Sequence, residues 1–124
     1  MPAISKDQAL LIERLPGLER RFGEIADYTV SFERYSQDKD YAAMNEGLPG
    51  NRCQAAHWGL VLSGKLIYRY PEGDDVITAG QAFYARPGHT AWLGAGTELV
   101  KFSPKDQLQG TFAVTRENLA ELLD

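Results

Sequence analysis

Two hydrophobic rhythms divide the chain. Near the N-terminus, Leu10, Leu11 and Leu15 recur at helical spacing across Lys6 to Leu15. Ser5 and Gln8 read as a capping box ahead of them, and Pro16-Gly17 stops the run. The pattern predicts a short N-terminal helix packed on something larger. From Tyr28 the period drops to two. Tyr28, Val30, Phe32 and Arg34 alternate with Thr29, Ser31, Glu33 and Tyr35, which predicts a strand rich in aromatic and β-branched residues. Ser36 to Gly50 is polar and reads as a loop, with a helical turn around Tyr41 to Asn45.

Short apolar runs then follow in quick succession, each bounded by turn residues. Cys53 to Leu62 and Lys65 to Tyr70 are parted by Ser63-Gly64. Asp75 to Thr78 follows Pro71-Glu72-Gly73-Asp74, and Gln81 to Arg86 follows Ala79-Gly80. His89 to Leu93 follows Pro87-Gly88, and Thr97 to Phe102 follows Gly94-Ala95-Gly96. Gln109 to Val114 reads as a final strand. Thr115 is placed to cap a last short helix through Leu123, with Glu117 against the helix dipole. About eight short strands, with turn signals every 8–12 residues or so, indicate an all-β sandwich or barrel. No predicted helix is long enough to cross between parallel strands, which argues against an α/β fold.

Composition narrows the picture. A chain of 124 residues fits one domain and buries roughly two-thirds of its unfolded surface, enough core to fold without cross-links. Within it, residues 1–24 form the helix and lead-in, 25–114 the barrel and 115–124 the C-terminal helix. The net charge is −4 and no stripe of Lys or Arg occurs, so nucleic acid is not an expected partner. The longest apolar run near the N-terminus, Ala9-Leu10-Leu11-Ile12, is too short for an export signal or a membrane span. The expected compartment is the cytoplasm. A single Cys agrees, because no internal disulfide can form.

The strand-and-turn series resembles a cupin. The first cupin motif runs Gly … His-x-His … Glu … Gly, and the second Gly … Pro-x-Gly … His … Asn. Gly64 falls at the closing glycine of the first, with His57 at the Glu place, Cys53 at the second His and Asn51 at the first. In the second, Gly80 opens the motif and Gly88 takes the glycine of Pro-x-Gly. Arg86 stands at the Pro place, Ala91 at the His place with His89 two residues ahead of it, and Ala95 at the Asn place. The segments CQAAHWGLVLSGKL and YARPGHTAW also resemble a subgroup of small bacterial cupin-domain proteins, in which Cys-x-x-x-His-Trp-Gly replaces the His-rich motif. The resemblance spans roughly Cys53 to Pro104. It implies a double-stranded β-helix, a small jelly-roll barrel with short helices at both ends. It also implies a homodimer joined through strands near the N-terminus, and the strand from Tyr28 would otherwise leave an exposed aromatic edge, which favours pairing with a partner.

The only Cys and the only two His of the chain all fall in these two segments. A thiolate and two imidazoles suit Zn²⁺, Fe²⁺ or Ni²⁺. Cys53 and His57 share a strand parity, and His89 shares one with the motif place at Ala91. Three ligands would leave a fourth position for water or substrate. The plain alternatives are a buried Cys packing as a small hydrophobe and a His satisfied in a core or turn. A Cys53–His57 nucleophile pair is formally possible but lacks any sign of an oxyanion hole. Asn51, Tyr84 and Arg86 are candidate substrate-binding residues: Asn51 through its amide or simply as a turn former, Tyr84 through its hydroxyl, and Arg86 by pairing with a carboxylate or only with a surface acid. Tyr68 is a further hydroxyl within reach. Trp58 and Trp92 read as packing on the other face, and Glu98 and Lys101 as exposed. Two functions stay open: a metal-dependent enzyme acting on a small molecule, and a metal-free barrel that binds or senses a small ligand.

Overall fold

Alternation along ten short strands produces two antiparallel sheets facing each other, and the computed structural model describes residues 2–111, 114 and 118. The six-stranded sheet has the order β1 (Leu11–Leu15), β2 (Leu18–Ile25), β3 (Tyr28–Tyr35), β10 (Glu98–Pro104), β5 (His57–Ser63), β8 (Ala82–Ala85). The four-stranded sheet has the order β4 (Lys39–Asp40), β9 (Thr90–Leu93), β6 (Lys65–Tyr70), β7 (Gly73–Thr78). The expected all-β, double-stranded β-helix is the fold. Its core between the sheets is built from Tyr35, Val61, Leu66, Tyr68, Phe83, Leu93 and Leu99, with their neighbours.

The expected N-terminal helix is a correction. Only a 3₁₀ turn, Lys6–Gln8, remains of it. There the Ser5 N–H donates to Gln8 Oε1 at 2.9 Å. Leu11–Leu15 is instead β1, paired with β2 from Leu11↔Phe22 to Leu15↔Leu18. The reason lies in Pro16-Gly17, which makes a hairpin turn and does not stop a helix. Pro fixes its own φ and Gly17 takes φ +83°, the combination a type II turn needs. Cross-strand charge then locks the register: Glu13 lies opposite Arg20 and Arg14 opposite Glu19, and both pairs form ion pairs.

The strand expected over Gln109 to Val114 is a second correction. The chain is helical over 105–111, and again at Val114 and Asn118. Leu108 and Thr111, three apart and so on one helix face, are buried against the barrel. The Thr115 cap falls outside the described residues. A third correction concerns β3. It lies between β2 and β10, so it is not the exposed edge that sequence patterning suggested. The edges of that sheet are β1 and β8.

The turn at Gly64 shows how little room the frame allows. Gly64 has φ +81°, and a Cβ there would sit 2.5 Å from the Thr97 Cα. Any side chain would meet both backbone strain and backbone atoms. This turn fixes where β5 ends, and so which residue of β5 reaches the cavity.

Candidate metal centre and its cavity

Three separate places in the sequence build the site. His57 opens β5, whose inward parity carries His57, Gly59 and Val61 toward the opposite sheet. Cys53 precedes the strand and is held by an isolated bridge to His89. The Cys53 N–H donates to the His89 carbonyl at 2.7 Å, and the Cys53 carbonyl accepts from the N–H groups of Gly88 and His89 at 2.8 and 3.3 Å. The Pro87-Gly88 turn therefore brings His89 to Cys53.

The ligand atoms of Cys53, His57 and His89 all lie within 4.8 Å of one another. Cys53 Sγ is 3.8 Å from His57 Nε2, and the two imidazole centroids are 4.9 Å apart. A tetrahedral zinc ion would need donor separations of about 3.4–3.6 Å, from Zn–S near 2.3 Å and Zn–N near 2.0–2.1 Å. The trio fits such an ion with a small inward movement of its side chains. Each ring is also held from behind. His89 Nδ1–H donates to the Arg86 carbonyl at 2.8 Å, which leaves Nε2 as the donor atom for a metal. His57 Nδ1 lies 2.7 Å from the Ser103 hydroxyl. Outer partners of this kind fix imidazole orientation in metal sites.

Burial sets the protonation of the trio. It pushes the Cys53 thiol up, against smaller opposing effects from the Ala55 backbone, the Lys101 charge and Thr111. It drives His57 well below its ordinary value, helped by Lys101 and His89. His89 is held at about 4, chiefly by burial, against the bond to the Arg86 carbonyl. At neutral pH the centre therefore consists of a thiol and two neutral imidazoles.

The three line one cavity with a volume of about 70 Å³, closed in part by Tyr68, Leu93 and Leu108. By the room one water needs, that is space for roughly five or six heavy atoms. Part of its lining is charged: Arg20, Glu33 and Lys101, on the same sheet as His57, also line it. Glu33 is 4 % exposed and accepts from the Ser31 hydroxyl at 2.5 Å, the Tyr35 hydroxyl at 2.5 Å and Lys101 Nζ at 3.0 Å. Burial alone would raise its carboxyl. The charges of Lys101 and Arg20, with those two hydroxyl bonds, outweigh burial and hold it at about 2. Arg20 donates from Nε and Nη2 to Glu13 at 2.9 and 2.5 Å.

The substrate-binding candidates sit elsewhere. Asn51 has φ +58° and accepts from the Gly47 N–H at 3.1 Å, in the manner of a turn residue. Tyr84 stacks on Trp58 on the outer face of the larger sheet, centroids 5.2 Å apart. Arg86 pairs with Glu72 and covers the Tyr70 ring. None of the three lines the cavity with the trio. Tyr68 does, and so does Lys101, which is not exposed as expected: its side chain is 16 % accessible. Arg20, Glu33, Lys101 and Ser103 are the residues that sequence reasoning missed as site components. The signal was present as strand parity, since Ser31, Glu33 and Tyr35 on β3 point the same way as Leu99, Lys101 and Ser103 on β10. The alternation alone does not say which face looks inward, and here much of the aromatic side looks outward, with Tyr28 and Phe102 exposed.

No protein-family model matches the chain, and no curated protein does. Solved structures are informative. An RmlC-like cupin from Shewanella frigidimarina NCIMB 400 superposes with a TM-score of 0.54 at 20% identity, over 82% of this chain and 88% of its own. The chain has the cupin fold. A putative ethanolamine utilization protein Q from Salmonella typhimurium LT2 gives 0.56 at 12% identity, over 76% and 79%. A protein of unknown function from Rhizobium leguminosarum gives 0.57 at 19% identity, over 83% and 95%. Identities this low establish the cupin fold and carry no activity across. Among the described residues, no helix is long and apolar enough to cross a membrane.

Proposed function

We propose that this cupin-fold protein holds a divalent transition metal (Zn²⁺, Fe²⁺ or Ni²⁺) on Cys53, His57 and His89, and binds and acts on a small molecule in the adjoining cavity, in the cytoplasm. The observation that carries the reading is the convergence of the chain's only Cys and both its His on one buried cavity wall. Bound there, the metal would supply Lewis acidity and an exchangeable coordination position. The protein's own residues do the rest. Ser103 and the Arg86 carbonyl orient the two imidazoles. Leu93 and Leu108 exclude water. Cys53 gives up its proton when the metal binds.

A second reading, a metal-free barrel that binds or senses a small ligand, is favoured by one observation. Burial keeps the Cys53 thiol protonated and within 3.8 Å of His57, so the trio is already internally satisfied. Elemental analysis of protein purified without added metal separates the two readings. The expected result is near-stoichiometric transition metal that Cys53→Ala and His57→Ala each abolish. Metal-free protein whose stability chelator does not change would establish the second reading instead.

We also propose that the protein is a homodimer, joined through the outer face of its larger sheet. Tyr28, Trp58, Tyr84 and Phe102 are all exposed there, and adjacent strands bring Phe102 opposite Trp58 and Trp58 opposite Tyr84.

A further inference from the structure

The charged residues beside the trio, on the same six-stranded sheet as His57, limit what the cavity can hold. Glu33 is fully engaged: one oxygen accepts from Tyr35, the other from Ser31 and from Lys101. Held ionised with donors on both oxygens, it is unsuited to act as a base. It is well suited to fix an ammonium. Lys101 is tethered from its buried side by this carboxylate, on a strand whose next inward residue, Ser103, touches His57. An ammonium has three N–H donors, and the bond to Glu33 uses one of them. The side chain also lines the same cavity as the three ligands.

Charge balance points the same way. Among the described residues, the cavity is lined by Arg20 and Lys101 as cations and by Glu33 as the one carboxylate, and Arg20 is offset by Glu13 from outside it. That set is neutral. A divalent ion with the Cys53 thiolate then adds a net positive charge in a low-dielectric space, where an unbalanced charge is costly. A bound anion restores neutrality.

We infer that the cavity takes a compact monocarboxylate bearing a second oxygen donor, a 2-hydroxy or 2-oxo acid of a few carbons. Its carboxylate rests on Lys101 and its hydroxyl or carbonyl oxygen reaches the open metal position. Size agrees, since such an acid has about the number of heavy atoms the cavity admits. The inference rests on the metal-centre reading, and it makes Lys101 a ligand-binding residue that Glu33 positions.

Glycolate is the test ligand and glycolamide its neutral counterpart, titrated calorimetrically into cobalt-loaded and metal-free protein. Cobalt absorption reports the metal centre independently of Lys101. The wild type binds glycolate, shifts the cobalt spectrum and ignores glycolamide. Lys101→Gln keeps the unliganded cobalt spectrum and binds glycolate at least about tenfold more weakly, the scale of one charge-assisted hydrogen bond. Lys101→Arg retains most of the affinity. Because Lys101→Gln strands the buried Glu33, the double variant Glu33→Gln/Lys101→Met is measured beside it. In that variant the amide oxygen introduced at position 33 accepts from one of the two hydroxyls and the amide N–H donates to the other, so it is expected to fold and to lose glycolate likewise. Equal affinity for glycolate and glycolamide, or glycolate binding unchanged in the folded double variant, overturns the inference. So does failure of the wild type to bind glycolate in either form. Absence of a cobalt spectrum removes the metal reading and this inference with it, whereas a cobalt spectrum that glycolate does not shift overturns this inference alone.

Discussion

Ser103 is a small residue on which the orientation of His57 depends. Its hydroxyl lies 2.7 Å from His57 Nδ1, and the residue is 1 % exposed, so no solvent would replace it without rearrangement. Ser103→Ala leaves all three ligands in place but frees the ring to rotate and removes a buried hydrogen-bond partner. Loss of an outer partner of this kind lowers metal affinity by about 10- to 100-fold. The expected outcome is weaker zinc binding in competition with a chromophoric chelator, with the melting temperature of the metal-free protein lowered only modestly. An affinity equal to that of the wild type would show that packing alone orients His57. At this scale the trio itself was legible in the sequence, because rare residue types in two short segments stand out without any knowledge of the fold. Ser103 and Lys101 were not. Their types are common, and only the pairing of β10 with β5, which places Phe102 opposite Trp58, brings Ser103 beside His57.

Elements tell a different story from residues. Strands β3, β6 and β9 fall close to where alternation and turn dipeptides put them, because a period of two bounded by Gly and Pro leaves few alternatives. The N-terminal hairpin escaped because Leu11 and Leu15, four apart, satisfy a helical and a strand period equally. The choice was made by cross-strand pairing of Glu13 with Arg20 and Arg14 with Glu19, which becomes visible only when Pro16-Gly17 is read as a hairpin turn and not as the end of the element. The C-terminal helix over 105–111 was missed for a related reason: it is stabilised by seating Leu108 beside Cys53 and Ala55, a contact made across half the chain. The faces that turn Glu33 and Lys101 inward leave aromatic side chains on the outside of the six-stranded sheet. Trp58 is 42 % exposed at its centre, with Tyr28 packed edge-on at 6.4 Å. Monomeric proteins seldom leave contiguous apolar surface of this kind uncovered. Light scattering coupled to gel filtration is expected to return twice the mass of the chain for the wild type and the mass of one chain for Trp58→Glu, with little change in the circular dichroism. A wild type that elutes as a monomer at micromolar concentration would rule out this interface.

On the scale of the whole molecule, the buried centre couples folding to pH in a direction that can be worked out. His89 is held at about 4 in the folded chain, against about 6.5 when unfolded. Between these values the unfolded chain binds the proton and the folded chain resists it, so stability rises with pH across that window. It is complete above pH 6.5 or so and is lost progressively as the pH falls toward 4. At 1.36 kcal/mol per unit, His89 accounts for about 3 kcal/mol, a large share of the stability of a domain this size. His57 is displaced in the same direction and deepens the loss. Glu33, at about 2 in the folded chain, adds a further loss only below pH 4.5 or so, where carboxylates titrate. Urea melts in chelator at pH 7, 6, 5 and 4 are therefore expected to show weakening well before any carboxylate protonates. In His89→Gln the acid limb is shallower between pH 6.5 and 4, although its starting stability is altered by the lost bond to the Arg86 carbonyl. Stability that stays level from pH 6.5 to 4.5 in the wild type would mean that the imidazoles accept protons where they lie, and that water reaches the cavity in the folded state. With metal bound the same protons compete with the ion for the imidazoles and the thiolate, so the loaded protein is expected to hold its stability to lower pH and then lose metal and fold together.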